Sequence, residues 1–248
     1  MRGCLWLFPG GTGRAPFLVF ALLSFAAMIL VLLLLPSQKI FHGQESGLAP
    51  RLGDVVRLFT LRSPFMTLSG VLIYGACYGV FISVLPGHLI LAQGFSPVSV
   101  GIFFALFYLS VSLSQLIVGP LSDRFGRHQY MVAGLVMVAT GLATFVHIPY
   151  PWVFLPLILA SLGLGVFCVS SLTHLNECAP ADLKASISGS YYLAWGFGYF
   201  LGPVVLGYLD EHVDSSLGYD LLALACAIQA LQLWTARSAR CASSSRGS

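Results

Sequence analysis

The chain has 248 residues, 57% of them hydrophobic and 8% charged, with a formal net charge of +3. Soluble domains carry roughly 25% charged residues, so this chain cannot cover itself with a water-compatible surface, and lipid must contact most of its outside. It has no basic stripe, and most Lys and Arg fall in short connecting segments, which argues against nucleic acid as a partner.

A spanning helix takes about 20 mostly apolar residues. Seven segments reach that length: 16–36, 64–91, 98–121, 129–148, 152–176, 186–209 and 217–236. They are far longer than the ~10 residues of a barrel strand and do not alternate, so each is expected as a helix. The first run exceeds the apolar core of a signal peptide. It ends on Pro36-Ser37-Gln38, which is not a small-x-small cleavage site, so it is expected to remain as a span. The segment 37–63 is long and polar. Within it Leu52, Val55, Val56 and Phe59 repeat at helical spacing between Arg51, Asp54, Arg57 and Arg62. That pattern predicts an amphipathic helix on the membrane surface. Later connections are tight. The expected layout is an outer N-terminal segment with the first span (1–36), a cytoplasmic amphipathic linker (37–63), a six-helix bundle (64–236) and a cytoplasmic tail (237–248).

Orientation follows from the basic residues. Lys39, Arg51, Arg57, Arg62, Arg124, Arg127, Lys184, Arg237, Arg240 and Arg246 fall on one side, and only Arg2 and Arg14 on the other. The positive-inside rule places the N-terminus outside and the C-terminus in the cytoplasm, as expected for an integral protein of a plasma or inner membrane. The six cysteines are scattered, form no C-x-x-C pair and are expected as free thiols.

Between the third and fourth spans stands Gly119-Pro120-Leu121-Ser122-Asp123-Arg124-Phe125-Gly126-Arg127-His128. Gly119 permits close helix approach, Pro120 is expected to end or kink its helix, and Gly126 allows a tight turn. Asp123 can meet a helix N-terminus or a basic side chain, and Arg124 and Arg127 can reach acids or lipid phosphates. This passage resembles the signature loop of the major facilitator superfamily, G-x-L-[small]-D-R-x-G-R-[basic], with every strong position filled. The resemblance implies that Gly119, Asp123, Arg124, Gly126 and Arg127 form a latch that helps set the conformational equilibrium between two halves of a carrier. The alternative is a solvated basic turn that only fixes topology. Two further passages agree. Pro180-x-x-x-Lys184-Ala185-x-x-x-Gly189 is similar to the loop entering the fifth helix of each family half. Gly198-x-x-x-Gly202-Pro203-x-x-x-Gly207 looks like the family's antiporter motif, or equally a helix-packing seam.

Family members usually have twelve helices in two six-helix halves. The long linker after the first span resembles the loop joining the halves, and Leu159 stands where a first half often carries an Arg before its G-x-G. The resemblance therefore implies the C-terminal half, helices six to twelve. A complete signature loop is more typical of first halves and argues the other way. Under the second-half reading a first-half bundle, or a second copy of the chain, is the partner that would complete the path.

Charges inside a span usually mark ion or solute paths, and here they are nearly absent. His88 and His147 lie near outer ends, and His174 and Glu177 near an inner one. No proton-coupling carboxylate, metal cluster or cofactor motif is visible, so proton or ion coupling would rest on residues outside this chain. Aromatic and weakly polar residues remain. Tyr74 and Tyr78 are one turn apart, Tyr191, Trp195 and Tyr199 repeat every four residues, and Gln229 lies on the last span. As a cavity lining they would suit a small amphiphilic or weakly cationic, drug-like solute; as a packing stripe or interfacial belt they would need no ligand.

A seven-helix receptor is the distant rival, because Asp123-Arg124-Phe125 follows the third predicted helix. Against it, the last helix has no N-P-x-x-Y and no Lys for a Schiff base, and the outer cysteine pair is missing. No H-E-x-x-H or G-x-S-x-G supports an enzyme, and no Walker motif supports ATP-driven transport. The closer rival is a non-transporting remnant, or a subunit that must pair with another chain. The expected fold is thus all-α and transmembrane: seven helices, a six-helix bundle preceded by one.

Overall fold

The computed structural model describes residues 15–34, 62–178, 184–213 and 215–244, and among them every regular element is an α-helix. The predicted amphipathic linker falls almost wholly outside the described residues. The chain divides into two compact units, Met1–Gly47 and Leu48–Ser248. The first contains α1 (Ala15–Leu34), whose side chains are exposed from Leu18 to Leu34. Its 20 residues rise about 30 Å, close to the thickness of a bilayer core.

The second unit holds α2 (Arg62–Ser83), α3 (Leu85–Leu91), α4 (Pro97–Phe125), α5 (Arg127–Phe145), α6 (Phe154–Cys178), α7 (Lys184–His212) and α8 (Ser215–Ser244). Six of these, all but α3, are long and apolar enough to cross a membrane, whereas the apolar stretch of α1, Leu18–Leu34, is shorter. The predicted second span divides: α2 stops at Ser83, and α3 restarts with Pro86 in its first turn. Proline has no N–H to give the carbonyl one turn back, so the ladder is interrupted there. Pro120 does not end its helix, because α4 continues through it to Phe125. The signature passage is therefore mostly helix. Only Gly126, at φ +96°, separates α4 from α5, in a conformation that glycine adopts without steric cost.

The bundle is built on close backbone contact. Helices in lipid gain little hydrophobic driving force from each other and associate through small residues that let their backbones approach. In the α2–α7 pair, a Cβ added to Gly75 or Gly79 would strike the carbonyls of Trp195 or Tyr199. One added to Gly198 would strike the Leu72 carbonyl, and one on Gly202 would lie 2.6 Å from the Ala76 carbonyl. The α5–α6 seam uses Gly134 and Gly163 reciprocally, since a Cβ added to either would lie 2.6–2.8 Å from the other's carbonyl oxygen. Gly165 lets α6 meet Val111 and Ser114 of α4. The other strong pair is α5–α8. Grouping the helices as α2, α4, α5 and α6, α7, α8 makes the α2–α7 and α4–α6 contacts equivalent under exchange of the groups, the pairing expected of two three-helix repeats. Between these seams a core of Phe81, Phe103, Phe107, Phe145 and Phe167 is almost fully buried. α2 and α6 are the most enclosed helices and α7 the least.

Candidate functional site

At one end of the bundle, the ends of α4 and α6 and the start of α5 bring three charges together. Arg127 Nη2 lies 2.8 Å from Asp123 Oδ1, and Arg127 Nε donates to Glu177 Oε2 at 2.7 Å. The Arg127 side chain is 15% exposed, against 60% and 56% for Asp123 and Glu177. A mostly buried guanidinium thus uses two of its nitrogens, Nη2 and Nε, to tie α4 and α6 to the start of α5. The three residues, with His128 and His174, border a cleft of about 320 Å³. His128 Nε2 lies 2.8 Å from the Leu233 carbonyl, so α8 joins the cluster as well. Arg124 is exposed and sits over the ring of Phe125, with 5.5 Å to the centroid. Gly119 has nothing within 4 Å of an added Cβ, so no close helix approach is made at it within this bundle.

The aromatic candidates separate into two groups. Tyr78 of α2 packs against Trp195 and Tyr199 of α7, with centroids 6.0 and 6.4 Å apart, and against Phe107 of α4 at 5.4 Å. Tyr78, Trp195 and Tyr199 are all half-buried, and the Trp195 Nε1–H is buried with no hydrogen-bond partner. Tyr74, Tyr191 and Gln229 are buried. Tyr74 lies against Phe167 at 5.7 Å. The Tyr191 hydroxyl lies 3.4 Å from Ser171 Oγ and 3.5 Å from the Cys168 carbonyl oxygen, to which it donates. Gln229 Nε2 donates to the Met66 carbonyl at 2.7 Å and its Oε1 accepts from Ser69 Oγ at 3.3 Å, which ties α8 to α2. Of the six cavity candidates, the structure leaves Tyr78, Trp195 and Tyr199 partly open. In the glycine–proline motif, Gly198, Gly202 and Pro203 face α2, whereas an added Cβ at Gly207 meets nothing within 4 Å.

At the opposite end, His88 of α3 lies beyond the span, its ring 5.1 Å from Tyr219 and 6.0 Å from Phe145. Burial lowers its pKa from the ordinary 6.5, and the charge of Asp210 partly offsets this. The folded state therefore disfavours the imidazolium, and the unfolded chain takes up the proton first. Stability is complete above pH 6.5 and declines as pH falls below it. Thermal unfolding in detergent should show the midpoint dropping between pH 7 and 5 (approximate limits), with a shallower slope in His88→Gln. Equal slopes in the two proteins would remove His88 from this account.

Residues 5–203, and again 67–240, match the family model described as Major Facilitator Superfamily. The chain belongs to the major facilitator superfamily. It is similar to the probable nitrate/nitrite transporter NarK2 of Mycobacterium tuberculosis (strain ATCC 25618 / H37Rv), with 27% identity over 231 residues, covering 90% of this chain and 56% of that protein. It is 26% identical over 206 residues to the class C tetracycline resistance protein of Escherichia coli, covering 78% and 50%. It is also 26% identical over 109 residues to a low-affinity glucose transporter of Kluyveromyces lactis, covering 43% and 19%. The chain spans about half the length of the first two, and less of the third. As a member of this superfamily with six helices among the described residues long and apolar enough to cross a membrane, it is an integral membrane protein.

Within this superfamily chain the sequence motif located Asp123 and Arg127 but not their third partner. Glu177 lies 50 residues further on, and no local spacing links it to Arg127. Phe107 was likewise missed as part of the aromatic group, since it sits in an apolar span with nothing to set it apart from other phenylalanines.

Proposed function

We propose that the chain forms one bundle of a secondary carrier for a small amphiphilic or weakly cationic solute, with Tyr78, Trp195 and Tyr199 on the path. The observation that carries this reading is the half-buried aromatic group joining α2 to α7, with the indole N–H of Trp195 unpartnered inside it. Aromatic faces attract flat or cationic groups, and a buried donor without a partner is unfavourable unless something accepts from it. The charges of the described spans sit near helix ends, so a small anion would meet no basic side chain in mid-bilayer, while a polycyclic amphiphile would meet aromatic rings. In that respect the named substrate of the tetracycline resistance protein fits these residues better than nitrate does. Asp123, Arg127 and Glu177 act as the gate on the cytoplasmic side, with the N-terminus outside. The path is completed by a second six-helix bundle, either a first half or another copy of the chain, because alternating access requires two bundles rocking about a central site.

The test is reconstitution in liposomes, with and without the first-half bundle of a superfamily relative, followed by uptake of a fluorescent cationic amphiphile such as ethidium. Uptake should require two bundles per unit, and Tyr78→Ala and Trp195→Ala should each lower it by about tenfold, the effect of losing roughly 1.4 kcal/mol of solute contact. Unchanged kinetics and unchanged solute range in both variants would remove the aromatic group from the path. Absence of uptake in every combination would favour the non-transporting subunit.

A further inference from the structure

We infer that Cys77 and Cys226 form a dithiol site that a lipid-soluble hydroperoxide converts to a disulfide joining α2 to α8. The two cysteines are 149 residues apart in sequence, yet their sulfurs lie 3.4 Å apart, and both side chains are fully buried. Each stands within a membrane-spanning helix. A disulfide needs a sulfur separation of about 2.05 Å, so closure requires an approach of only about 1.4 Å. The same two helices are also hydrogen-bonded to each other further along α2. Gln229, one turn beyond Cys226, bonds the Met66 carbonyl and Ser69 of α2.

A second feature bears on which oxidant can come near the pair. An apolar cleft of about 210 Å³ lies between α2, α7 and α8, and its lining includes Leu72, Ala76, Leu222 and Ala225. Ala76 and Ala225 are the immediate sequence neighbours of Cys77 and Cys226, so the cleft passes one residue from each cysteine without being lined by either. The lining exposes almost no polar surface, so the cleft suits a hydrocarbon-bearing reagent dissolved in the bilayer and gives a water-bound oxidant nothing to bond. Cys178, by contrast, is exposed beside His174, at 3.8 Å, where aqueous reagents reach it.

The reaction balances with the hydroperoxide ROOH as the only co-reactant. The two S–H bonds and the O–O bond break, and the S–S bond forms. The sulfurs together lose two electrons and the peroxide gains them. The two thiol protons leave with the oxygens, giving ROH and water. A thiol reductant reverses the link by exchange. The product ties the first helix of the bundle to the last, a modification independent of whether the protein transports anything.

The experiment uses the full chain in lipid nanodiscs, treated with cumene hydroperoxide or with hydrogen peroxide at equal concentration. The protein is then denatured, its remaining thiols are alkylated, and its proteolytic peptides are weighed. Cumene hydroperoxide should remove the Cys77 and Cys226 thiols together and yield one Cys77–Cys226 crosslinked peptide in monomeric protein, abolished by reductant. Hydrogen peroxide should form it at least about tenfold more slowly, since it partitions poorly into an apolar site. In Cys77→Ala or Cys226→Ala the remaining cysteine should stay uncrosslinked. The proposal is overturned if both thiols stay alkylable while Cys178 is oxidised, if either pairs with Cys168 instead, or if hydrogen peroxide matches cumene hydroperoxide.

Discussion

Arg127→Ala is expected to cut uptake by the reconstituted carrier about tenfold while shifting the unfolding midpoint by only a few degrees. The two effects separate because they have different origins. Each ion pair involves a carboxylate that is more than half exposed, and exposed pairs contribute about 0.2–1 kcal/mol, so the combined loss of stability is about 1–2 kcal/mol at most. A gate, however, depends on the difference between two conformations, and a shift of about 1.4 kcal/mol in that equilibrium is already tenfold. Without the guanidinium, Asp123 and Glu177 face each other across the cleft with no cation between them. Adding Glu177→Gln should therefore recover part of the activity by relieving the repulsion. Arg127→Lys should recover less than its charge suggests, because an ammonium is a point charge and cannot reproduce a fork that meets Asp123 through Nη2 and Glu177 through Nε. Flux measured in liposomes, with unfolding followed in the same detergent stock, decides the matter. Wild-type flux in Arg127→Ala would leave the cluster as a topological anchor and nothing more.

The second large effect concerns packing. Gly198→Ala is expected to lower stability by about 1–3 kcal/mol, the cost of overfilling a tight contact, and Gly198→Leu should prevent assembly of the bundle. The added carbon falls on the Leu72 carbonyl of α2. Backbone cannot rotate aside as a flexible side chain would, so the two helices must separate along their shared seam. The control lies on the same helix. Gly207→Ala meets nothing within 4 Å and should be neutral, or stabilising by up to about 1 kcal/mol through better helix propensity. Denaturation of both variants in parallel gives the comparison, and equal losses would show that the α2–α7 contact is looser than described.

These two sites show how far the residues alone could be read. Gly198 and Gly202 were visible as a motif because their spacing is local, one turn apart on one helix. Their partners, the carbonyls of Leu72 and Ala76, belong to backbone that leaves no trace in residue identity. The same limit applies to the signature passage. Asp123 and Arg127 stand out at a spacing of four, but Glu177 becomes a partner only when α6 returns to the same end of the bundle. Helix lengths were legible from apolar runs, and their ends less so. Pro86 interrupts a helix while Pro120 and Pro203 lie inside theirs, and the difference depends on tertiary packing around the missing N–H. The aromatic repeat was legible as a stripe, but which rings stay partly open depends on where α2 crosses α7. At that crossing Trp195 stays half-buried, whereas Tyr191 is buried with its hydroxyl against Ser171 and Cys168 of α6. The proximity of Cys77 to Cys226 could not be inferred at all, since nothing in a span of 149 residues announces it.

The single residue between α4 and α5 has a mechanical consequence. With Gly126 as the entire connection, the two helices meet at a pivot with no slack, and neither can slide along its axis at that end without drawing the other. Tilting is the freedom left to them, and Arg127 stands at the pivot with one arm on each side. A push on α4 would therefore reach the remote end of α5 as a swing amplified over the length of that helix, much as a short crank moves a long lever.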